Sequence, residues 1–223
     1  MDDRDVFRMT PAAFLSGFWS LLPVVDRVAA GDVLNATIHM NRALKEEMTH
    51  DKLDAYSRNL QGRIIVDSKN SVYLRRFRID GWMPGDPKQE DLPDNQKRLY
   101  NVYLHHIVRA DEDTLMHNHP WEWAESLILC GGYTEMYGVL CEEETENLKA
   151  KIITQPNWKR YFGAGTRNTL GHTDYHNITN VDRGTWTLFV CGMKTKSWGF
   201  YDEARGHIPW RDRLAERGIQ AQY

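Results

Sequence analysis

The residues of this 223-residue chain best suited to chemistry are histidines. Two of its nine histidines stand two positions apart, in Met116-His117-Asn118-His119-Pro120. On an extended strand, residues two apart project from the same face. Two imidazoles on one face can grip a single metal ion. His176 follows in Tyr175-His176-Asn177-Ile178-Thr179-Asn180, on a segment of strand character that could come opposite the pair in a barrel. Pro120 withholds a ladder donor, so the pair should sit at a strand start or an irregular spot. A solitary histidine is more often a surface or hydrogen-bonded core residue, and the HxH spacing is what lifts this pair above that reading.

Other residues have two readings each. His172, four before His176, could act as a base beside a metal site, while its setting in Gly171-His172-Thr173-Asp174 favours an exposed loop. His105 and His106 are adjacent on one strand, so at most one points inward, most simply as a satisfied core histidine. Arg75, Arg109 and Arg167 could hold an acidic substrate by bidentate pairing, or pair with a neighbouring Glu. Trp121, Trp123, Tyr133, Tyr137 and Trp186 are expected to line a barrel, as core first and ligand platforms second. Cys130 and Cys191 read as small buried hydrophobes. No GxSxG, phosphate loop or dinucleotide fingerprint stands where its fold would require it.

The elements that must position these residues change character along the chain. Thr10-Pro11 resembles a helix start, and Phe14, Leu15, Phe18, Trp19 and Leu22 follow at helical spacing up to Pro23. A second helical run covers roughly Val33 to Leu60, closed by Gly62. Residues 1–62 are therefore expected to be a helical N-terminal extension, packed on the main domain or on a partner. From Arg63 the pattern turns to short strands rich in β-branched and aromatic residues. They begin with Ile64–Val66 and Val72–Ile79 and continue from Leu99 to Tyr201, including one long strand over Leu115–Cys130. A punctuated stretch from Gly81 to Lys97 is either a lid or a surface excursion. Residues 63–223 are thus expected to form an all-β sandwich or barrel.

Composition sets the outer limits. Apolar residues make up 41% of the chain and charged residues 26%, as in soluble globular proteins. A net charge of -3 argues against general nucleic-acid binding. Three scattered cysteines give no disulfide framework and no thiolate zinc site, which points to a reducing, cytoplasmic setting. The acidic start is wrong for a signal peptide, and the apolar stretch Ala12–Val25 is too short to span a bilayer.

The motifs resemble those of the cupin superfamily, small jelly-roll β-barrels. In that family an HxH is followed by a Glu and then by a turn Gly. Here Glu125 follows His119 after five residues and Gly132 follows after a further six. Glu125 has the parity of His117 and His119, whereas Glu122 has the opposite parity. His176 and Asn180 match the family's second motif, and Gly163-Ala164-Gly165 takes the place of its Pro-x-Gly in this resemblance. The segments Tyr103-Leu104-His105, His117–Trp121, Ser126–Glu135, Trp198-Gly199-Phe200 and Pro209-Trp210-Arg211 are similar to small cupin proteins, many of them phage-encoded. That likeness runs from about Val72 to Leu214, and a phage origin would imply a host cytoplasm.

The site is also similar to that of thiol (cysteine) dioxygenases, with Gly131 twelve residues after His119. The resemblance implies an iron site held by His117, His119 and His176. It departs from the cysteine type at Thr187–Cys191, where no His or Tyr relay stands, so cysteine is a doubtful substrate. The expectation is a cupin-like jelly-roll barrel with a helical N-terminal extension, acting as a non-haem iron(II) oxygenase on a small molecule. Glu125 is a candidate fourth ligand, and Glu125 and His172 are the candidate catalytic groups. Zinc, manganese, nickel or copper would also accept imidazole. The alternatives are a redox-neutral metal-dependent isomerase, epimerase or lyase, and a non-catalytic binding module that docks through its N-terminal helices. A homodimer would be usual for such a barrel.

Overall fold

A computed structural model describes residues 48–80, 83–93, 100–142, 150–153 and 158–219. The apolar helical face expected around Phe14 to Leu22 lies outside the described residues. Of the second helical run, helix α1 is described over His50–Ser57. The Thr49 hydroxyl caps it by accepting from the Lys52 N–H.

Thirteen strands follow among the described residues: β1 Gly62–Val66, β2 Val72–Asp80, β3 Tyr100–Ile107, β4 Met116–His117, β5 Trp123–Cys130, β6 Gly132–Glu142, β7 Ala150–Ile153, β8 Lys159–Gly163, β9 Arg167–Gly171, β10 Asp174–Val181, β11 Thr185–Gly192, β12 Gly199–Asp202 and β13 Gly206–Pro209. Helix α2, Trp210–Glu216, comes last. One sheet has the order β1-β2-β3-β11-β5-β9, the other β13-β12-β4-β10-β6-β7, with β8 also paired to β6. Every pairing is antiparallel. The two sheets enclose a cavity lined from both sides. This is the all-β architecture that the strand pattern predicts, in the jelly-roll form that the resemblance implies.

Alternation along the strands divides apolar side chains between two faces. On β11, Trp186, Leu188 and Val190 join Val102, Leu104, Leu127 and Leu129 in the main apolar cluster. Leu53 of α1, with no exposed surface, is part of the same cluster, so this helix is built into the barrel wall. Full burial of one such side chain is worth about 1.5–3 kcal/mol. Trp186 stacks on His106 at 4.5 Å and donates its indole N–H to His50 Nδ1 at 2.8 Å. Trp186 and Trp123 therefore pack with the outer cluster, not in the barrel lumen as expected. The opposite parity of β11 puts Thr187 and Phe189 against the cavity.

The strand expected over Leu115–Cys130 is broken in two, β4 and β5. Between them Asn118 replaces ladder bonding with its own: its N–H donates to the Gly199 carbonyl at 3.0 Å, and its Oδ1 accepts from the Gly199 N–H at 2.9 Å. Pro120 has no N–H to offer the ladder, and its carbonyl accepts from the Thr195 N–H at 2.8 Å. Gly131 turns the chain from β5 into β6 with φ +68°, and a Cβ there would stand 2.6 Å from Thr185 Oγ1. Of the punctuated stretch after β2, Met83 is buried and packs with Tyr103, Ala124 and Phe189. That end of it is anchored in the barrel. Cys191 is a buried free thiol, as expected, whereas Cys130 is only half-buried. No helix among the described residues is long and apolar enough to cross a membrane.

The segment entering β4 is pinned by Asp113. Its carboxylate accepts from Arg213 Nε and an Arg213 terminal nitrogen, both at 2.9 Å, and from Arg217 at 3.2 Å. The Asp113 carbonyl accepts from the Asn177 amide on β10. Burial alone would raise the Asp113 pKa, but the Arg213 hydrogen bonds and the Leu115 N–H outweigh it and hold the carboxyl below its ordinary value. A depressed carboxyl stabilises the fold fully above the unfolded-state pKa and loses that contribution as pH falls through the folded value. Asp113→Ala should lower the unfolding free energy by about 2–4 kcal/mol in urea denaturation at neutral pH. Asp113→Asn should flatten the fall of stability below the ordinary carboxylate range, measured by the same denaturation across acid pH.

Candidate metal centre

His117 closes the short strand β4, where it stands in register with His176 of β10 on one side and Phe200 of β12 on the other. His119 lies beyond the strand end, in the irregular stretch fixed by Asn118 and Pro120. The three rings meet in the barrel: centroids are 5.1 Å apart for His117–His119, 4.8 Å for His117–His176 and 5.0 Å for His119–His176. Each offers one ring nitrogen, and the three nitrogens lie within 4.8 Å of one another. His119 Nε2 and His176 Nε2 are 2.8 Å apart. Two ring nitrogens that close need a proton or a cation between them.

Burial sets the protonation of the cluster. It pushes the His117 pKa down to about 4, partly opposed by the charge of Asp111, and it pushes His119 well below its ordinary value, helped by the charge of His176. Neutral imidazoles with free lone pairs are what a metal ion requires. Burial also pushes His176 down, but the Glu135 carboxylate outweighs it, and the His176 pKa stands above its ordinary value.

Glu135, on β6, is the residue the sequence reading passed over. It is fully buried, and its Oε2 accepts from His176 Nδ1 and from the Asn168 amide, both at 2.9 Å. Its Oε1 accepts from Arg160 at 2.5 Å. Burial would raise the Glu135 pKa, but His176 and Arg160 hold it below the ordinary carboxylate value. With Nδ1 donating to Glu135, the lone pair of His176 Nε2 faces the other two histidines. A carboxylate that orients a ligating histidine in this way raises its basicity and fixes its tautomer. The signal was available: Tyr133, Glu135 and Tyr137 alternate onto one face of β6, and a charged residue between two aromatics on a buried face needs a partner.

Glu125 and His172 take other places. The interruption between β4 and β5 resets the alternation, so the parity that linked Glu125 to His117 and His119 is lost. Glu125 stands opposite Val190, a member of the outer apolar cluster, and its carboxylate lies 3.6 Å from Arg167. Glu125 is among the residues that line the cavity, but it is not in the cluster of metal-capable groups. His172 is exposed in the β9–β10 turn, where its carbonyl accepts from Lys196.

The cavity beside the histidines has a volume of about 440 Å³. Trp121 and Tyr133 line it, as expected of the aromatic residues. His105 faces it, accepts from Arg76 Nε at 2.9 Å and stacks on Phe189 at 4.7 Å. Burial, then the charge of Arg76, pushes His105 well below its ordinary pKa. His106 points the other way, onto Trp186. Of the three arginines considered from sequence, Arg109 reaches the cavity but is paired with Asp67, and Arg167 faces Glu125. The charge of Arg75 is felt at His106, on the outer side. The cavity instead holds Arg63 and Arg76, which the sequence reading did not single out. The converging ring nitrogens of the cluster, with His117 and His119 held neutral and the carboxylate of Glu135 behind His176, fit a divalent transition metal.

No protein-family model matches the sequence, and no curated protein matches it either. Similar solved structures include Fe(II)-HppE with an alternative substrate (TM-score 0.36, 11% identity, 61% of this chain and 57% of that one). Another is the DMSP lyase DddQ from Ruegeria pomeroyi DSS-3 (0.40, 14% identity, 64% and 61%). A third is a cupin-superfamily sugar phosphate isomerase from Silicibacter pomeroyi DSS-3 (0.38, 13% identity, 65% and 79%). The chain thus covers less than two thirds of the first two. The strand order and the three histidines stand apart from these partial similarities.

Glu135→Gln keeps the shape of the side chain but removes its charge. It should weaken divalent-metal affinity by about 10–100-fold, read by competition with a chromogenic chelator. Circular dichroism on the same sample separates that loss from misfolding.

Proposed function

We propose that this protein is a metal-dependent enzyme that acts on a small molecule bound in the barrel cavity, with non-haem iron(II) oxygenase chemistry as the leading reading. The observation that carries it is the convergence of three imidazole nitrogens within 4.8 Å at the wall of a cavity, in a cluster that holds no carboxylate among the described residues. Three donors on one side leave positions open for substrate and for a second reactant. His117, His119 and His176 would hold the ion, and Glu135 would orient His176. A ferrous ion there would supply redox chemistry and a place for dioxygen, whereas zinc, manganese or nickel would supply Lewis-acid polarisation. Trp121 and Phe189 present apolar walls that keep water away from a bound substrate.

One observation favours a redox-neutral reaction as the second reading. His105 faces the cavity, and its low pKa keeps it neutral. Its Nε2 accepts from Arg76, so Nδ1 carries the proton and can donate it to a bound substrate. An isomerase, epimerase or lyase would need such a group.

Elemental analysis of tag-free protein tests the proposal. Near-stoichiometric transition metal is expected in the wild type and loss of most of it in His119→Ala. Absence of metal from the wild type, even after loading with ferrous iron, would overturn it. Dioxygen consumption by the iron-loaded protein with candidate substrates separates the two readings, since only the oxygenase consumes dioxygen.

A further inference from the structure

Facing the histidines from the other sheet is a transverse row of polar side chains. Arg63 of β1 stands in register with Arg76 of β2, Arg76 with His105 of β3, and His105 with Thr187 of β11. All four line the cavity. Charges of the same sign directly opposite each other on adjacent strands repel. Asp67 neutralises Arg109, but no carboxylate among the described residues lies within ion-pair distance of Arg63 or Arg76. Asp111, the acid at this end of the cavity, is engaged by the Ile178 N–H at 2.8 Å. Arg76 is held in place: its Nε donates to His105, and its guanidinium lies over the Tyr103 ring at 4.8 Å. Its two terminal nitrogens remain available as a planar fork. Thr187 Oγ1 has no hydrogen-bond partner, although the residue is completely buried. An unpartnered buried hydroxyl is unfavourable unless something else satisfies it.

We propose that Arg63, Arg76, the His105 Nδ1–H and the Thr187 hydroxyl form an anion subsite, and that the substrate is a small organic acid whose carboxylate or phosphate group docks there. The proposal rests on the reading of the cavity as a substrate site. An oxyanion would separate the two guanidinium charges, accept the Arg76 fork and pair with the orphaned hydroxyl. It would also direct the rest of the molecule across the lumen toward the histidines. The four residues and the three histidines line one cavity of about 440 Å³, so one small molecule can reach both ends.

Isothermal titration of the full chain with succinate and, separately, with glycerol 3-phosphate tests this. At least one should bind the wild type, and the preference between them identifies the anionic group. Arg76→Gln should weaken that binding by about tenfold or more, and Arg76→Lys by less, because it keeps the charge without the fork. Arg63→Gln should weaken it by about threefold or more, and serves as the test if Arg76→Gln does not fold. Failure of both anions to bind the wild type, or binding to a folded Arg76→Gln variant at wild-type strength, would overturn the subsite. His119→Ala should lose metal but bind the anion within about threefold of wild type. Anion binding that depends on Arg76 in a protein that takes up no metal would leave the subsite standing and remove the metal reading. A metal-loaded protein indifferent to both anions would do the reverse.

Discussion

A carboxylate sealed inside a barrel has to be neutralised where it stands, and the site is arranged around that requirement. Glu135 has no exposed surface. Left unpaired, an ionised group at that depth would destabilise the fold by several kcal/mol. Three side chains from three strands close on it: His176 from β10, Asn168 from β9 and Arg160 from β8. Each contact also fixes its strand relative to β6. His176 is thereby set with Nδ1 bonded outward and Nε2 aimed at its two fellow histidines. The metal-capable cluster is the inner end of a polar chain that begins at the surface with Arg160, whose guanidinium lies 3.7 Å from the centre of the Tyr137 ring.

The cavity divides its chemistry between the two sheets. One sheet and its entering segment bring the imidazoles, of which burial keeps His117 and His119 neutral while Glu135 orients His176. The other brings permanent charge, in the guanidinium groups of Arg63 and Arg76, which no acid among the described residues pairs. This division follows from register: adjacent strands place residues side by side, so one polar position per strand becomes a continuous row. It also gives the lumen an electrical direction, basic at one end and electron-donating at the other.

Much of this was legible in the sequence, for identifiable reasons. Short strands from Ile64 onward and the turn at Gly131 follow from alternation and from turn residues, and the grouping of His117, His119 and His176 followed from the HxH spacing together with the cupin resemblance. What escaped depended on knowledge of which face is which. Glu125 was grouped with the histidines by counting parity through Pro120, and that count does not survive the break in the strand: Glu125 lines the cavity but stands outside the three-histidine cluster. Glu135, a residue of β6, and Arg76, a residue of β2, could be seen as strand residues, but their importance arises only when neighbouring strands are paired. Strand β9 was missed because Arg167-Asn168-Thr169-Leu170 carries little strand propensity of its own, and pairing with β5 overrides that weakness. Trp186 was expected inside because it is aromatic. It lies outside because α1 covers that face and gives it an apolar surround and a partner for its N–H.

The break between β4 and β5 has a mechanical consequence. Strand β4 belongs to one sheet and β5 to the other, so residues 118–122 form the crossing between them. His119 rides on that crossing, while His117 and His176 belong to a single sheet. An ion gripped by all three would act as a rivet at the seam, joining the bridge to the wall it has just left. The barrel would then resist sliding of one sheet over the other in proportion to how tightly the rivet is held.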